Sequence, residues 1–162
     1  MKALIKSFSF AFKGIAYCIK NERNMRIHLT TAIYVFLLSG FFELSRTEYM
    51  LLIIVSAGVI AMEIINTSIE TIVNLLTQHY DHLAKIAKDA AAGAVLVSAL
   101  AAVIVGVIIF WDIPSFIRMY EFFAGHWWAA VLLAVSVVLA VLFIFFGPNS
   151  MMLAAKNRIR KK

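Results

Sequence analysis

Glu63, Asn66 and Glu70 lie inside a long apolar run at spacings of three and four, and Asn74 continues the series. Positions i, i+3, i+7 and i+11 share one face of an α-helix. The stretch leading in, YMLLIIVSAGVIAM at 49–62, carries no charge. Ionisable groups at membrane depth are costly, so they mark working sites. Lys85, Lys88 and Asp89 open the next apolar run, and Glu22 closes a basic N-terminal segment. Carboxylate oxygens of this kind suit a hard cation such as Mg²⁺. A nearby lysine suits phosphate, and a deeper carboxylate could act as general base toward a hydroxyl presented from lipid.

Those residues need helices in a bilayer to hold them. In a chain of 162 residues, 63% hydrophobic content, 15% charge and a mean hydropathy of +0.91 exceed what a water-soluble core can absorb. The two prolines and seven glycines suit helices better than a barrel. The lone Cys18 excludes an internal disulfide and a multi-cysteine metal site. The first apolar run has no small-residue cleavage pattern after it and reads as mature protein.

The fold class predicted is an all-α membrane protein. An amphipathic surface helix at 2–22 mixes Lys2, Lys6, Lys13 and Lys20 with Phe8, Phe10, Phe12, Ile15 and Tyr17. A three-helix transmembrane core follows, with spans at about 27–42, 49–76 and 82–111. The first span is short enough to need bilayer thinning or a protein lining. A C-terminal extension at 111–162 adds an interfacial stretch, a fourth span at about 127–146 and the basic tail KNRIRKK. Trp111, Trp127 and Trp128 stand at span ends, where an aromatic belt belongs.

Four spans put both termini and the 77–89 loop on one side, with thirteen of the fifteen lysines and arginines. The positive-inside rule makes that side cytoplasmic, in a membrane crossed several times. The positive charge is thereby explained by topology and anionic lipid, and no nucleic-acid partner is expected. Glu22, the Glu63–Asn74 face and the Lys85–Asp89 cluster then converge on the compartment that holds ATP.

The segments FKGIAYCIKNERNMRIHL (12–29), EIINTSIETIVN (63–74) and HLAKIAKDAAAGAVL (82–96) resemble the small prokaryotic diacylglycerol kinase family, which includes undecaprenol kinases. The resemblance covers about residues 5–110. It implies an integral-membrane enzyme, usually a homotrimer, that uses Mg-ATP to phosphorylate a membrane lipid alcohol. By the same resemblance Glu63 is the base for the lipid hydroxyl and Asn66 positions the reactants. Glu22 and Glu70 would hold metal, Lys88 would contact phosphate, and Asp89 would organise the nucleotide site. Asn74 stands where the family pattern has Asp; it cannot carry a negative charge, which leaves it nucleotide contacts or packing. RNMRIHL, NTSIE and AKDAAAGAVL sit nearer the undecaprenol-kinase branch than the strict diacylglycerol one. The family core ends after three spans, so the fourth reads as an anchor or a cover for the bundle.

Each of these residues has a plainer use. A membrane carboxylate can be a hydrogen-bonded packing residue, Glu22 can be an exposed charge at a helix end, and AAAGAV at 90–95 can be a close helix contact. His79 and His82 bracket a loop and read as solvated. His28 and His126 fall near interfaces with no partner visible in the sequence. A membrane protein with an intramembrane cation or proton site is the alternative class, and a non-catalytic lipid-binding subunit is a third. The cation or proton site would not need Lys88 and Asp89 beside the carboxylate face, and the subunit reading has only Asn74 and the added span in its support.

Overall fold

A computed structural model describes residues 2–77 and 81–159. His79 and the last three residues of the basic tail lie outside the described residues. The described residues form helices and no strands, in the order α1 (Lys2–Asn21), α2 (Arg23–Leu38), a 3₁₀ turn (Ser39–Phe41), α3 (Arg46–Leu76), α4 (His82–Phe110), α5 (Ile113–Gly125) and α6 (Trp127–Ile159).

Three of these, α3, α4 and α6 up to Pro148, are long and apolar enough to cross a membrane. With its 31 residues α3 is about 46 Å long, well beyond the about 30 Å of a hydrocarbon core. The segment expected to be the first span is shorter. Its helix, α2, has 16 residues, or about 24 Å, and starts at Arg23 with two arginines in its first turns. The chain then tightens into the 3₁₀ turn, whose three residues add about 6 Å, so α2 alone falls short of a bilayer core and α2 with the turn matches it.

Local chemistry sets the helix starts. Before α3, the Ser45 hydroxyl accepts from the Glu48 amide at 3.3 Å while Glu48 Oε2 accepts from the Ser45 amide at 2.7 Å, a reciprocal cap. Asp81 Oδ1 accepts from the Ala84 amide at 2.9 Å and starts α4. Asp112 starts α5 by accepting from both the amide and the hydroxyl of Ser115, with Pro114 in the first turn. Arg118 ties that start to the 3₁₀ turn, donating to Ser115 Oγ at 2.6 Å and pairing with Glu43 at 3.7 Å.

The antiparallel hairpin of α3 and α4 is the centre of the bundle. α1 and α2 pack on α3, and α6 packs on the outside of both. Met25, Leu52 and Val59 are buried in the seam between them. Most other apolar side chains of α4 and α6 point outward, as a lipid solvent requires. α6 is also held by a hydrogen bond from Tyr34 Oη to Ser136 Oγ at 2.9 Å, and its helix is broken at Gly147.

Candidate active site at the corner of α1, α2 and α3

Glu22 is the one residue between α1 and α2. Its backbone is extended (φ −101°, ψ 122°), so the chain turns there and the carboxylate is carried to the flank of α3. α3 presents Glu63, Asn66, Glu70 and Asn74 along the facing stripe. Glu63 is 1% exposed and Asn66 7%, while Glu70 and Glu22 are half-buried and Asn74 is exposed. Glu22, Glu63 and Glu70 lie near enough for their charges to interact. Burial holds the Glu22 carboxyl above its ordinary value; the Glu70 charge adds to this and the Arg26 guanidinium opposes it.

Two oxygens decide what the corner can do. Glu63 Oε2 and Asn66 Oδ1 are fully buried and accept no hydrogen bond among the described residues. Buried polar atoms are ordinarily paired, and an unpaired acceptor in a native site calls for a functional reason. The hydroxyls close by are already committed. Thr67 donates to the Glu63 carbonyl at 2.9 Å and Thr71 to the Thr67 carbonyl at 2.7 Å, each bonding back one turn. The face thus offers two unmatched acceptor oxygens, which suit a hard cation or a hydroxyl proton, beside the amide hydrogens of Asn66.

Among the described residues no three His, Cys, Asp or Glu side chains converge as a ready-made metal cage. Mg²⁺ needs no such cage: it takes one or two carboxylates and fills its remaining positions with water and phosphate oxygens.

One turn beyond Glu70, Lys88 Nζ donates to Asn74 Oδ1 at 2.7 Å across the α3–α4 hairpin. Two of the three residues expected at the nucleotide end, Lys88 and Asn74, are therefore brought together. Asp89 is exposed on α4, and Lys85 is exposed beside it. His28 and Val59 line an apolar cavity of 310 Å³ between α2, α3 and α4, and Val59 is one turn before Glu63. A second cavity of 370 Å³ between α2, α4 and α5 shares Thr31, Val35 and Phe110 with the first.

Three residues of the corner were not singled out in the sequence. Cys18 is 4% exposed and meets Thr67. Burial pushes its thiol up; the Thr67 contact opposes this, and the Glu22 and Glu63 charges reinforce it. Its spacing of four from Glu22 on one helix face was the available signal. Thr67 follows Glu63 by four in the same way. Arg26, 6% exposed, gave no signal, because its partners are backbone carbonyls, one of them 118 positions away.

The sequence profile of prokaryotic diacylglycerol kinases matches residues 9–110, ending where α4 ends. A diacylglycerol kinase of Synechocystis sp. is 43% identical over 104 residues, which are 64% of this chain and 59% of that protein. The undecaprenol kinase of Bacillus subtilis is 40% identical over 110 residues, 68% of this chain and 89% of that protein. A diacylglycerol kinase of Escherichia coli is 28% identical over 109 residues, 67% and 89% of the two chains. The corner of α1, α2 and α3 lies wholly within the shared region, and the chain belongs to the prokaryotic diacylglycerol kinase family, a family of membrane lipid kinases.

Proposed function

We propose that this chain transfers the γ-phosphoryl group of ATP to the hydroxyl of a membrane lipid alcohol, undecaprenol or diacylglycerol, at the corner of α1, α2 and α3. The observation that carries this reading is the buried, unpartnered carboxylate oxygen of Glu63 beside the equally unpartnered amide oxygen of Asn66. Glu63 takes the hydroxyl proton as the lipid oxygen attacks the γ-phosphorus and ADP departs. Asn66 holds the hydroxyl in line. Lys88, aimed by Asn74, contacts the phosphates, with Asp89 at the edge of the nucleotide site. Glu22 and Glu70 are the residues that would hold Mg²⁺, which supplies charge neutralisation on the phosphates. The apolar cavity one turn from Glu63 gives a place for the lipid chain. The enzyme works as a homotrimer in the bacterial inner membrane, with both termini and the α3–α4 turn in the cytoplasm.

The test is transfer of label from γ-labelled Mg-ATP by purified protein in detergent, with undecaprenol and diacylglycerol offered separately. Label in either lipid supports the kinase, and the faster acceptor names the branch. No label in either, from folded protein, overturns it and favours an intramembrane cation or proton site.

Glu22 also predicts a pH dependence. Its proton is held more tightly than that of an ordinary carboxyl, whose value is 4.5. A bound proton competes with a bound metal. Affinity for Mn²⁺, measured without nucleotide, is therefore full well above the raised value and falls as pH drops through it, about tenfold per unit once below. Glu22→Gln removes this pH dependence. A profile identical in the two proteins contradicts the assignment of Glu22.

A further inference from the structure

Arg26 is the most buried cation among the described residues, and the transfer reaction gives it no task. Its surroundings explain the burial. Nη1 donates to the carbonyls of Ile19 at 3.1 Å and Lys20 at 3.2 Å, and Nε donates to the carbonyl of Ile144 at 3.2 Å. Ile19 and Lys20 lie in the last turn of α1, where helix carbonyls have no helical donor. Ile144 lacks one for a different reason. The residue four further on is Pro148, which has no amide hydrogen. One guanidinium thus serves the carbonyl ends of two helices, where the dipoles favour a cation.

The break in α6 is shaped around it. Gly147 has φ +59°, a conformation that L side chains rarely adopt. A Cβ there would stand 3.0 Å from Arg26 Cζ. Arg23, one turn earlier on α2, lies over the Phe145 ring at 4.3 Å. The first turns of α2 therefore grip residues 144–147 of α6, immediately after the Glu22 corner. The Arg26 charge also acts on the Glu22 carboxylate.

We propose that the Gly147–Pro148 break of α6 and Arg26 form a latch through which the C-terminal helix fixes the α1–α2 corner and so positions the Glu22 carboxylate for metal. Arg26 and Gly147 are positioning residues, and the C-terminal extension is a working part of the site. The inference rests on the metal role of Glu22 proposed above. It concerns a segment, 111–162, that lies beyond the region matched to the family.

The test compares full-length variants by Mn²⁺ binding without nucleotide, by the Mg²⁺ and lipid dependence of label transfer, and by melting temperature. Gly147→Val pushes a branched side chain into the guanidinium. Pro148→Ala restores the missing amide hydrogen at 148, a competing donor for the Ile144 carbonyl if the break closes into helix. Arg26→Gln removes the charge. Each is expected to weaken Mn²⁺ binding about tenfold or more, the range seen when a group supporting a metal ligand is lost. Half-saturating Mg²⁺ rises in parallel while the lipid KM is unchanged. Ser136→Ala, which removes the Tyr34–Ser136 hydrogen bond between α2 and α6, leaves Mn²⁺ binding at its original value.

Unchanged Mn²⁺ affinity in Pro148→Ala and Arg26→Gln, with Glu22→Gln still weakening binding, overturns the latch and leaves the metal role of Glu22 standing. Unchanged affinity in Glu22→Gln itself overturns that metal role and the latch with it. A lowered melting temperature with intact metal binding makes the contact merely structural and overturns the proposal too.

Discussion

Glu63→Gln lowers the rate of lipid phosphorylation by about 10²–10⁴-fold, the range that a positioned general base supplies. The substitution keeps shape and volume and removes only the ability to take a proton. The KM values for ATP and lipid therefore stay within a few-fold, and the loss falls on kcat. The same protein is expected to melt higher than the parent. Glu63 is 1% exposed and its Oε2 has no hydrogen-bond donor among the described residues. A buried carboxylate in that setting is costly to the fold, and an uncharged amide costs less. Loss of activity with a gain in stability is the signature of a residue kept strained for chemistry. Label transfer and thermal melts on one preparation check both. Retained transfer removes Glu63 from the reaction, and a large drop in melting temperature makes it a packing residue.

Lys88→Met lowers kcat by about 10²–10³-fold, the usual cost of losing one fixed charge aimed at developing phosphate charge. Lys88 can be aimed because its ammonium already donates to Asn74 Oδ1 at 2.7 Å across the hairpin. The partner is neutral, so the charge of Lys88 is oriented and left uncompensated. Two changes at Asn74 separate these effects. Asn74→Leu frees the lysine to wander and costs about tenfold, less than losing the charge. Asn74→Asp keeps the hydrogen bond and adds an ion pair that draws the ammonium away from phosphate; it raises the KM for ATP with a smaller effect on kcat. Steady-state kinetics with ATP varied at saturating lipid decides the matter. Equal rates for Lys88→Met and the parent exclude Lys88 from the nucleotide site.

The chemistry of the α3 face was legible because it depends on one helix. Glu63, Asn66, Glu70 and Asn74 share a stripe by periodicity alone, and an apolar run makes that helix easy to find. Glu22 could be placed on the same membrane side by charge and topology, and given a metal role only through the family resemblance; the structure adds its extended backbone and the turn it makes. The helix α2 was harder. Its apolar residues suggested a span from 27, yet the helix begins at Arg23 and stops at Leu38. Arg26 has its charge satisfied by carbonyls, which no polar pattern in the sequence records. Its partner Ile144 is 118 positions away, and the reason for that contact is the missing amide hydrogen of Pro148. Pairings of this kind depend on how helices are stacked, which periodicity does not encode. Cys18 was set aside as a lone thiol, although its helix face carries it to Thr67.

The length of α3 bears on what the substrate must do. Glu63 is 17 residues beyond Arg46, about 26 Å along a helix that continues past it to Leu76. If Arg46 marks one surface of a hydrocarbon layer about 30 Å thick, Glu63 stands a few ångström inside the other. That is the level at which the hydroxyl of a lipid alcohol already resides. Extraction into water would cost about 0.8 kcal/mol per methylene, roughly 13 kcal/mol for a chain of about 16 carbons. With Glu63 as the proposed base, standing at the depth of the hydroxyl, that work is avoided. The lipid arrives by sideways diffusion, keeps its tail in the bilayer, and leaves as a phosphate whose new charge floats it toward the water.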